Sequence, residues 1–211
     1  GRNFYSGDPQ KIPTPAAWAT GKKLADALIA RYREEHRSYP DNVGLILWAS
    51  PTMRSKGDDV AEILYLLGVR PVWQKGSGNV RGVEIIPAAE LGRPRIDVTP
   101  RVSGIFRDAF PLLMDLIDKA VQMVAALSEK PESNFVRRHV IKDVKDLTAE
   151  GLDADSAFRQ ATFRIFGSPP GSYGAGVAQL VESKQWKTTD DLGEMYIRWS
   201  SYAYGRGTFG A

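Results

Sequence analysis

Within GRPRIDVTPRVSGIFRDAFP, residues 92–111, the pair Arg107-Asp108 has the side chains to hold and orient a small anionic ligand. An arginine forks onto a carboxylate, and a neighbouring aspartate can orient that arginine or accept a proton. The apolar run Ile96–Val102 reads as a buried strand that ends at Ser103-Gly104, with Arg107-Asp108 opening a long helix. Ligands of open α/β sheets gather at the carboxyl ends of strands, so the pair lies where chemistry is expected. A plain structural account fits the same residues: Asp108 caps the helix and Arg107 pairs locally. The residues alone leave both readings open.

Three further constellations carry chemistry. His139 and Asp143 are one helical turn apart, a spacing that suits metal binding, proton movement or a solvated charge pair. Asp58 and Glu62 share that spacing at a helix start, where carboxylates can do proton or metal work or simply favour the helix dipole. The loop Gly167–Gly176, GSPPGSYGAG, lets backbone approach a flat or anionic ligand closely, or makes a sharp connection between helices. Its glycines match neither a Walker A loop nor GxGxxG. Trp199, Tyr202 and Tyr204 near the end offer aromatic faces for a flat ligand or for packing. His36 closes a predicted helix, where a cation suits the dipole.

The elements that position these residues follow from hydrophobic period. Thr14-Pro15 marks a helix start, and Trp18, Leu24, Ala25, Leu28, Ile29 and Tyr32 recur at helical spacing over 15–36. Val43–Ala49 is continuously apolar, the pattern of a parallel strand covered on both faces. Ser50–Lys56 reads as a loop, and a second helix carries Val60, Ile63, Leu64 and Leu67 up to Gly68. Arg70–Gln74 and Val83–Ile86 read as short strands, Ile96–Val102 as the third convincing strand, and 109–128 as its helix. Beyond Lys130-Pro131 the pattern predicts helices at 133–150, 154–166, 174–184 and 189–203. The expected fold is α/β, a mostly parallel sheet flanked by helices. Residues 1–130 form a Rossmann-like or flavodoxin-like unit and 131–211 a helical extension. Gly1–Pro13 lacks periodicity and begins abruptly, as if cut from a longer polypeptide.

Composition excludes several classes. The chain has no cysteine, hence no thiolate metal site or cysteine nucleophile, and its two histidines disfavour a dedicated zinc site. GxSxG, HExxH and paired-carboxylate signatures are absent, which argues against a self-contained hydrolase. The excess of 28 basic over 25 acidic residues is dispersed, with Arg31-Tyr32-Arg33 and Arg137-Arg138-His139 reading as solvated helix faces, so no nucleic-acid partner is expected. No apolar run reaches the roughly 18–20 residues that span a bilayer, and a cytoplasmic protein is expected.

Several segments together resemble the family of the aerobic cobaltochelatase large subunit and its magnesium-chelatase counterpart. They are GRNFYSGDPQKIPTPAAW (1–18), VGLILWASPTMRSKGDDVAEILYLLGVRPVW (43–73) and GVEIIPAAELGRPRIDVTPRVSGIFRDAFPLLMDLIDKAV (82–121). RIFGSPPGSYGAG (164–176) and YIRWSSYAYGRG (196–207) complete the set, in family order. The wording FGSPPGSYGAG and YAYG is nearer the cobalt branch than the magnesium branch. Family subunits are several times longer than this chain.

The resemblance implies a segment of a subunit that binds a tetrapyrrole, a corrin precursor such as hydrogenobyrinic acid a,c-diamide, with divalent cobalt as substrate metal. It also implies separate AAA+ ATPase partners that hydrolyse ATP, which agrees with the lack of a phosphate-binding Lys-Ser/Thr here. Magnesium insertion into protoporphyrin, or a scaffold role in docking partner subunits, is the alternative. The chemistry removes two pyrrole protons and hands over a metal. On that basis His139, Asp108 and Glu62 are candidates for proton transfer, and His139 and Asp58 for the metal. Arg107 and Arg54 are candidates for peripheral carboxylates, with Gly171, Tyr173 and Gly174 contacting the macrocycle. A ligand site should then appear as a cleft at the ends of strands 43–49 and 96–102, lined by Arg107 and the 167–176 loop. The isolated segment is expected to insert no metal, since the rest of the subunit and the ATPases are missing.

Overall fold

Backbone polar groups in the apolar runs must be paired once water is excluded, and here they pair mainly in parallel. A computed structural model describes residues 8–184 and 186–211. Gly1–Gly7, the start of the family-like stretch 1–18, lies outside the described residues. After a short 3-10 turn at Pro9–Lys11, α1 (Pro15–His36) is capped by the Thr14 hydroxyl, which accepts from the Ala17 amide, with Pro15 in the first turn. Then come β1 (Asn42–Leu47), α2 (Ala49–Ser55) and α3 (Asp58–Leu67). The antiparallel hairpin β2 (Val69–Trp73) and β3 (Val80–Ile85) forms its own two-stranded sheet. A one-turn helix, α4 (Ala88–Leu91), leads to β4 (Asp97–Val102). The segment 50–56, expected as a loop, is therefore mostly the helix α2.

The helix after β4 starts earlier than the pattern predicts and is broken. α5 (Gly104–Ala109) is capped by Ser103, whose hydroxyl accepts from the Phe106 amide, and α6 (Pro111–Ala125) follows at once. The break falls at Phe110, because the residue before a proline is driven out of the helical region. Asp108 therefore lies in the last turn of α5 and caps nothing, a correction to the capping reading.

Residues 131–211 hold α7 (Phe135–Ala149), α8 (Ala154–Ala161), β5 (Ile165–Gly167), α9 (Val177–Glu182), α10 (Thr189–Trp199), β6 (Tyr202–Gly205) and β7 (Thr208–Phe209). The predicted helices 154–166 and 189–203 each end in a strand that helical periodicity concealed. Strand order in the main sheet is β1-β4-β5-β6-β7. β1, β4 and β5 run parallel, and β6 and β7 add antiparallel pairs. One sheet thus runs across residue 130. These short strands carry too little sequence pattern to stand out; pairing with their neighbours creates them.

Val43, Leu47, Val98 and Val102 turn to one face of this sheet, where they join Val60, Ile63 and Leu64 of α3 and Phe106, Ile117 and Val121 of α5–α6 in the core. β1 is an edge strand with Ile46 half exposed, not the doubly covered strand its composition predicts. The carboxylate of Asp118, on α6, ties the far edge. It accepts from Arg159 Nη1 at 2.8 Å, Gln122 Nε2 at 2.9 Å and the Arg206 amide at 3.0 Å, and its side chain is 1% exposed.

Asp118→Ala leaves the Arg206 amide and the Arg159 guanidinium without this acceptor. It should lower stability by about 3 kcal/mol, the lower end of the range for a broken buried pair, because Arg159 keeps some access to water. Urea denaturation of the variant beside the wild type measures this.

Candidate functional site

In the parallel register Leu47 is level with Val102, and Val102 with Gly167, so three strands end along one edge. The segments that leave these strands are therefore brought together: Trp48–Pro51, Ser103–Ile105 and the 168–176 loop. Between them lies a cleft of about 720 Å³ lined by Trp48, Ala49, Ser103, Gly104, Ile105, Tyr173 and Gly174, with Ser50 and Pro51 at its wall. Trp48, Ile105 and Tyr173 are 53%, 63% and 60% exposed. Exposed aromatic and aliphatic groups converging on glycines and small side chains form a surface for a flat, largely apolar ligand. This is the cleft expected at the ends of strands 43–49 and 96–102, with the 167–176 loop as one wall.

Arg107 builds the wall without lining the cleft. It is 1% exposed, and its Nη1 donates to the carbonyls of Ser168 (3.1 Å), Pro169 (2.8 Å) and Ser172 (3.2 Å). Nε and Nη2 donate to the two carboxylate oxygens of Asp108 at 2.7 and 3.1 Å. A guanidinium engaged on both sides and shut off from solvent cannot also clamp a substrate carboxylate, which corrects that expectation for Arg107. Asp108 in turn accepts from the Tyr173 hydroxyl at 2.8 Å. The Arg107 fork, with a smaller part from Tyr173, holds the Asp108 carboxyl below its ordinary range. Such a carboxylate is a stable anion and a poor proton acceptor, so the proton-transfer role expected of Asp108 also gives way to positioning. Tyr204, fully buried on β6, adds a hydroxyl that donates to the Ser168 carbonyl.

Close approach makes the fit. A Cβ on Gly104 would stand 2.6 Å from Tyr173 Cδ1 and 2.8 Å from the Ser172 carbonyl oxygen, so only glycine lets α5 seat the loop. Gly174 lines the cleft, whereas Gly171, at φ +75°, turns the loop outside it. Arg101 of β4 braces the loop from behind, at 3.4 Å from the Gly174 carbonyl and stacked on the Tyr196 ring of α10. Of the aromatic tail, Tyr204 is core, and Trp199 packs on Gly176.

His139 is at the other end of the sheet. Its Nδ1 lies 2.7 Å from Oδ2 of Asp97, the first residue of β4, so the helical neighbour Asp143 is not its hydrogen-bond partner. Five residue steps at about 3.3 Å each separate Asp97 from Val102, so roughly 17 Å of strand lies between the two edges. Asp58 and Glu62 are on α3 against α1, where their neighbours include Gly21, and line neither the cleft nor the His139 cavity. The pairing of His139 with Asp58 on one metal is thereby corrected. Among the described residues no group of three His, Cys, Asp or Glu could hold a metal ion. Arg54 is exposed at the end of α2, one helical turn beyond Ser50 of the cleft wall.

Sequence reasoning missed Trp48 and Ile105, which composition assigns to the core, and the Asp97–Arg164 pair behind His139. A lone aspartate in the apolar run Ile96–Val102 was the available signal for the latter, since a buried carboxylate must be partnered.

The family model described as CobN/Magnesium Chelatase matches residues 1–211. The aerobic cobaltochelatase subunit CobN of Sinorhizobium sp is 48% identical over 210 residues, covering 100% of this chain and 16% of that protein. A magnesium-chelatase subunit of Chlorobaculum parvum is 38% identical over 211 residues, covering 100% of this chain and 16% of its own. Among solved structures, the catalytic subunit of cobaltochelatase from Mycobacterium tuberculosis superposes with a TM-score of 0.90 at 51% identity, over 100% of this chain and 17% of that one. The chain thus spans about one sixth of the length of the curated relatives it matches.

Gly104→Ala should displace Tyr173 and the loop and lower stability by about 1–3 kcal/mol, the ordinary cost of overpacking, read by urea denaturation. Glu62 gives a pH signature. Burial, then the charges of Asp58 and Asp59, raise its carboxyl from the ordinary 4.5 to about 7. Below pH 4.5 folded and unfolded chains both keep this proton; between 4.5 and 7 the unfolded chain ionises first. Stability therefore falls as pH climbs through that window, and the loss persists above it. Glu62→Gln should gain stability relative to the wild type at pH 8 but not at pH 4, measured by denaturation at both.

Proposed function

Because the chain belongs to the CobN/magnesium chelatase family, we propose that it is a segment of the large, tetrapyrrole-binding subunit of an ATP-dependent cobaltochelatase. That enzyme inserts divalent cobalt into a corrin precursor such as hydrogenobyrinic acid a,c-diamide. The observation that carries this segment's part in it is the carboxyl-edge cleft, whose Trp48, Ile105 and Tyr173 are exposed side by side. Rings and a branched aliphatic chain presented to solvent give van der Waals contact to one face of a macrocycle and displace water from it. Gly174, with open space where a Cβ would stand, lets the macrocycle approach the backbone. Arg54, exposed on the helix whose first turn lines the cleft, is the residue we assign to a peripheral carboxylate.

The cobalt reading is favoured over the magnesium one by identities of 48% and 51% to cobaltochelatase subunits against 38% to a magnesium-chelatase subunit. A scaffold is expected instead to present a large apolar patch and to leave Arg107 and the 167–176 loop buried or scattered; Arg107 is buried, but Tyr173 and Gly174 of the loop converge on the cleft. Arg107 and Asp108 act here as positioning residues: they hold the 168–173 backbone and Tyr173 in place before the ligand arrives, which lowers the ordering cost of binding. ATP hydrolysis falls to separate AAA+ partner subunits. No helix of the described residues is long and apolar enough to cross a membrane. With the lack of cysteine this supports a cytoplasmic place of action.

Trp48→Ala and Tyr173→Ala, introduced into the longer polypeptide that carries this segment, should each weaken tetrapyrrole binding about tenfold or more. A loss of roughly 1.5 kcal/mol of ring contact gives that factor. Quenching of intrinsic fluorescence by the macrocycle reads the affinity, and cobalt insertion with partner subunits and ATP reads the consequence. Unaltered affinity in both variants would remove the cleft from the tetrapyrrole site.

A further inference from the structure

The amino-terminal edge of the same sheet holds a second, chemically different cavity of about 510 Å³, with His139, Asp143, Asn42, Thr99 and Gln160 in its lining. Asp97 closes its floor. This carboxylate is 1% exposed and takes the Arg164 Nε at 2.9 and 3.1 Å on its two oxygens, besides His139 Nδ1 at 2.7 Å. With the Arg164 guanidinium, a permanent cation, donating to both of its oxygens, Asp97 is a buried carboxylate held in an ion pair. An ionised carboxylate only accepts, so the proton of a neutral His139 ring is on Nδ1 and its lone pair on Nε2. With Nδ1 held against the sheet, Nε2 is directed away from Asp97, on the open side of a ring that remains 31% exposed.

A carboxylate that fixes the tautomer and orientation of a histidine in this way is the usual support behind a metal-bound imidazole. Asp143 supplies a carboxylate one helical turn along α7, on the same face and in the same cavity. We propose that the cavity binds a divalent transition-metal ion through Nε2 of His139 and the carboxylate of Asp143, with water completing the coordination sphere. Imidazole with one carboxylate suits Co²⁺, Ni²⁺ or Zn²⁺; a magnesium ion prefers oxygen ligands alone. Two protein ligands, with Lys142 also lining the cavity, make the site weak and exchangeable. That is the property a loading site for a transferred metal needs. Only the choice of cobalt as the ion loaded rests on the cobaltochelatase reading. The site itself follows from His139, Asp97, Arg164 and Asp143.

The test titrates the protein with CoCl₂ and follows the imidazole resonances, of which two histidines give a readable set. The ring of His139 should broaden selectively while that of His36 does not, and excess Mg²⁺ should not reverse it. Asp143→Asn, a near-isosteric change at a half-buried helix position, should raise the Co²⁺ dissociation constant about tenfold or more, and His139→Gln should abolish binding. No selective broadening of His139 at millimolar Co²⁺, or an unchanged dissociation constant in Asp143→Asn, overturns the proposal even if His139→Gln fails to fold. Loss of tetrapyrrole binding in the Trp48 variant with Co²⁺ uptake intact separates the two sites. Co²⁺ uptake at His139 together with tetrapyrrole affinity unaltered by Trp48→Ala and Tyr173→Ala refutes the cleft and leaves this site standing.

Discussion

The buried guanidinium of Arg107 is the constraint on which the carboxyl edge depends. The 168–172 backbone turns sharply after β5 and leaves carbonyl groups with no strand or helix partner, and such groups are costly when shut away from water. Arg107 meets three of them at once from the last turn of α5. Its own charge is buried only because Asp108, next in the chain, accepts from two of its nitrogens. The same carboxylate then reaches Tyr173. One cation thereby joins α5, the loop and an exposed aromatic ring. The cleft wall follows from that chain of contacts and from the missing Cβ of Gly104.

Parallel pairing gives the sheet two unlike ends. Because β1, β4 and β5 run the same way, the exit from each of these strands falls on one edge and the entry on the other. The carboxyl edge collects Trp48, Ile105 and Tyr173 with small residues between them. The amino edge collects Asn42, Asp97 and Arg164, and α7 brings His139 down onto them. An apolar surface for a flat ligand and a polar pocket with an oriented imidazole are thus held apart by the length of β4. Apolar and polar side chains have opposite solvation demands, and separate edges let each be met.

Much of this was legible in local sequence. Thr14-Pro15 fixed the start of α1, Gly68 the end of α3, and the run Ile96–Val102 the central strand, because capping and period act over a few residues. The place of the site was legible too, since Ser103-Gly104 marks a strand end. The roles of Arg107 and Asp108 were not. A forked arginine has the same sequence signature whether it holds a ligand or three carbonyls sixty residues away. Strands β5, β6 and β7 were hidden for a related reason: each is too short to show a period and exists through its neighbour.

The amino-acid sequence by itself determined the helices, the central strand, the absence of thiol chemistry and the likeness to a family, all properties of short contiguous segments. Tertiary structure alone decided which residues meet. It paired His139 with Asp97 across 42 residues rather than with Asp143 at one helical turn, and it brought Tyr173 to Asp108 across 65. It also left Trp48 and Ile105 outside the core that their composition predicts. The reason is that burial and hydrogen-bond partners depend on which distant segments are brought side by side, which no short stretch of sequence specifies by itself.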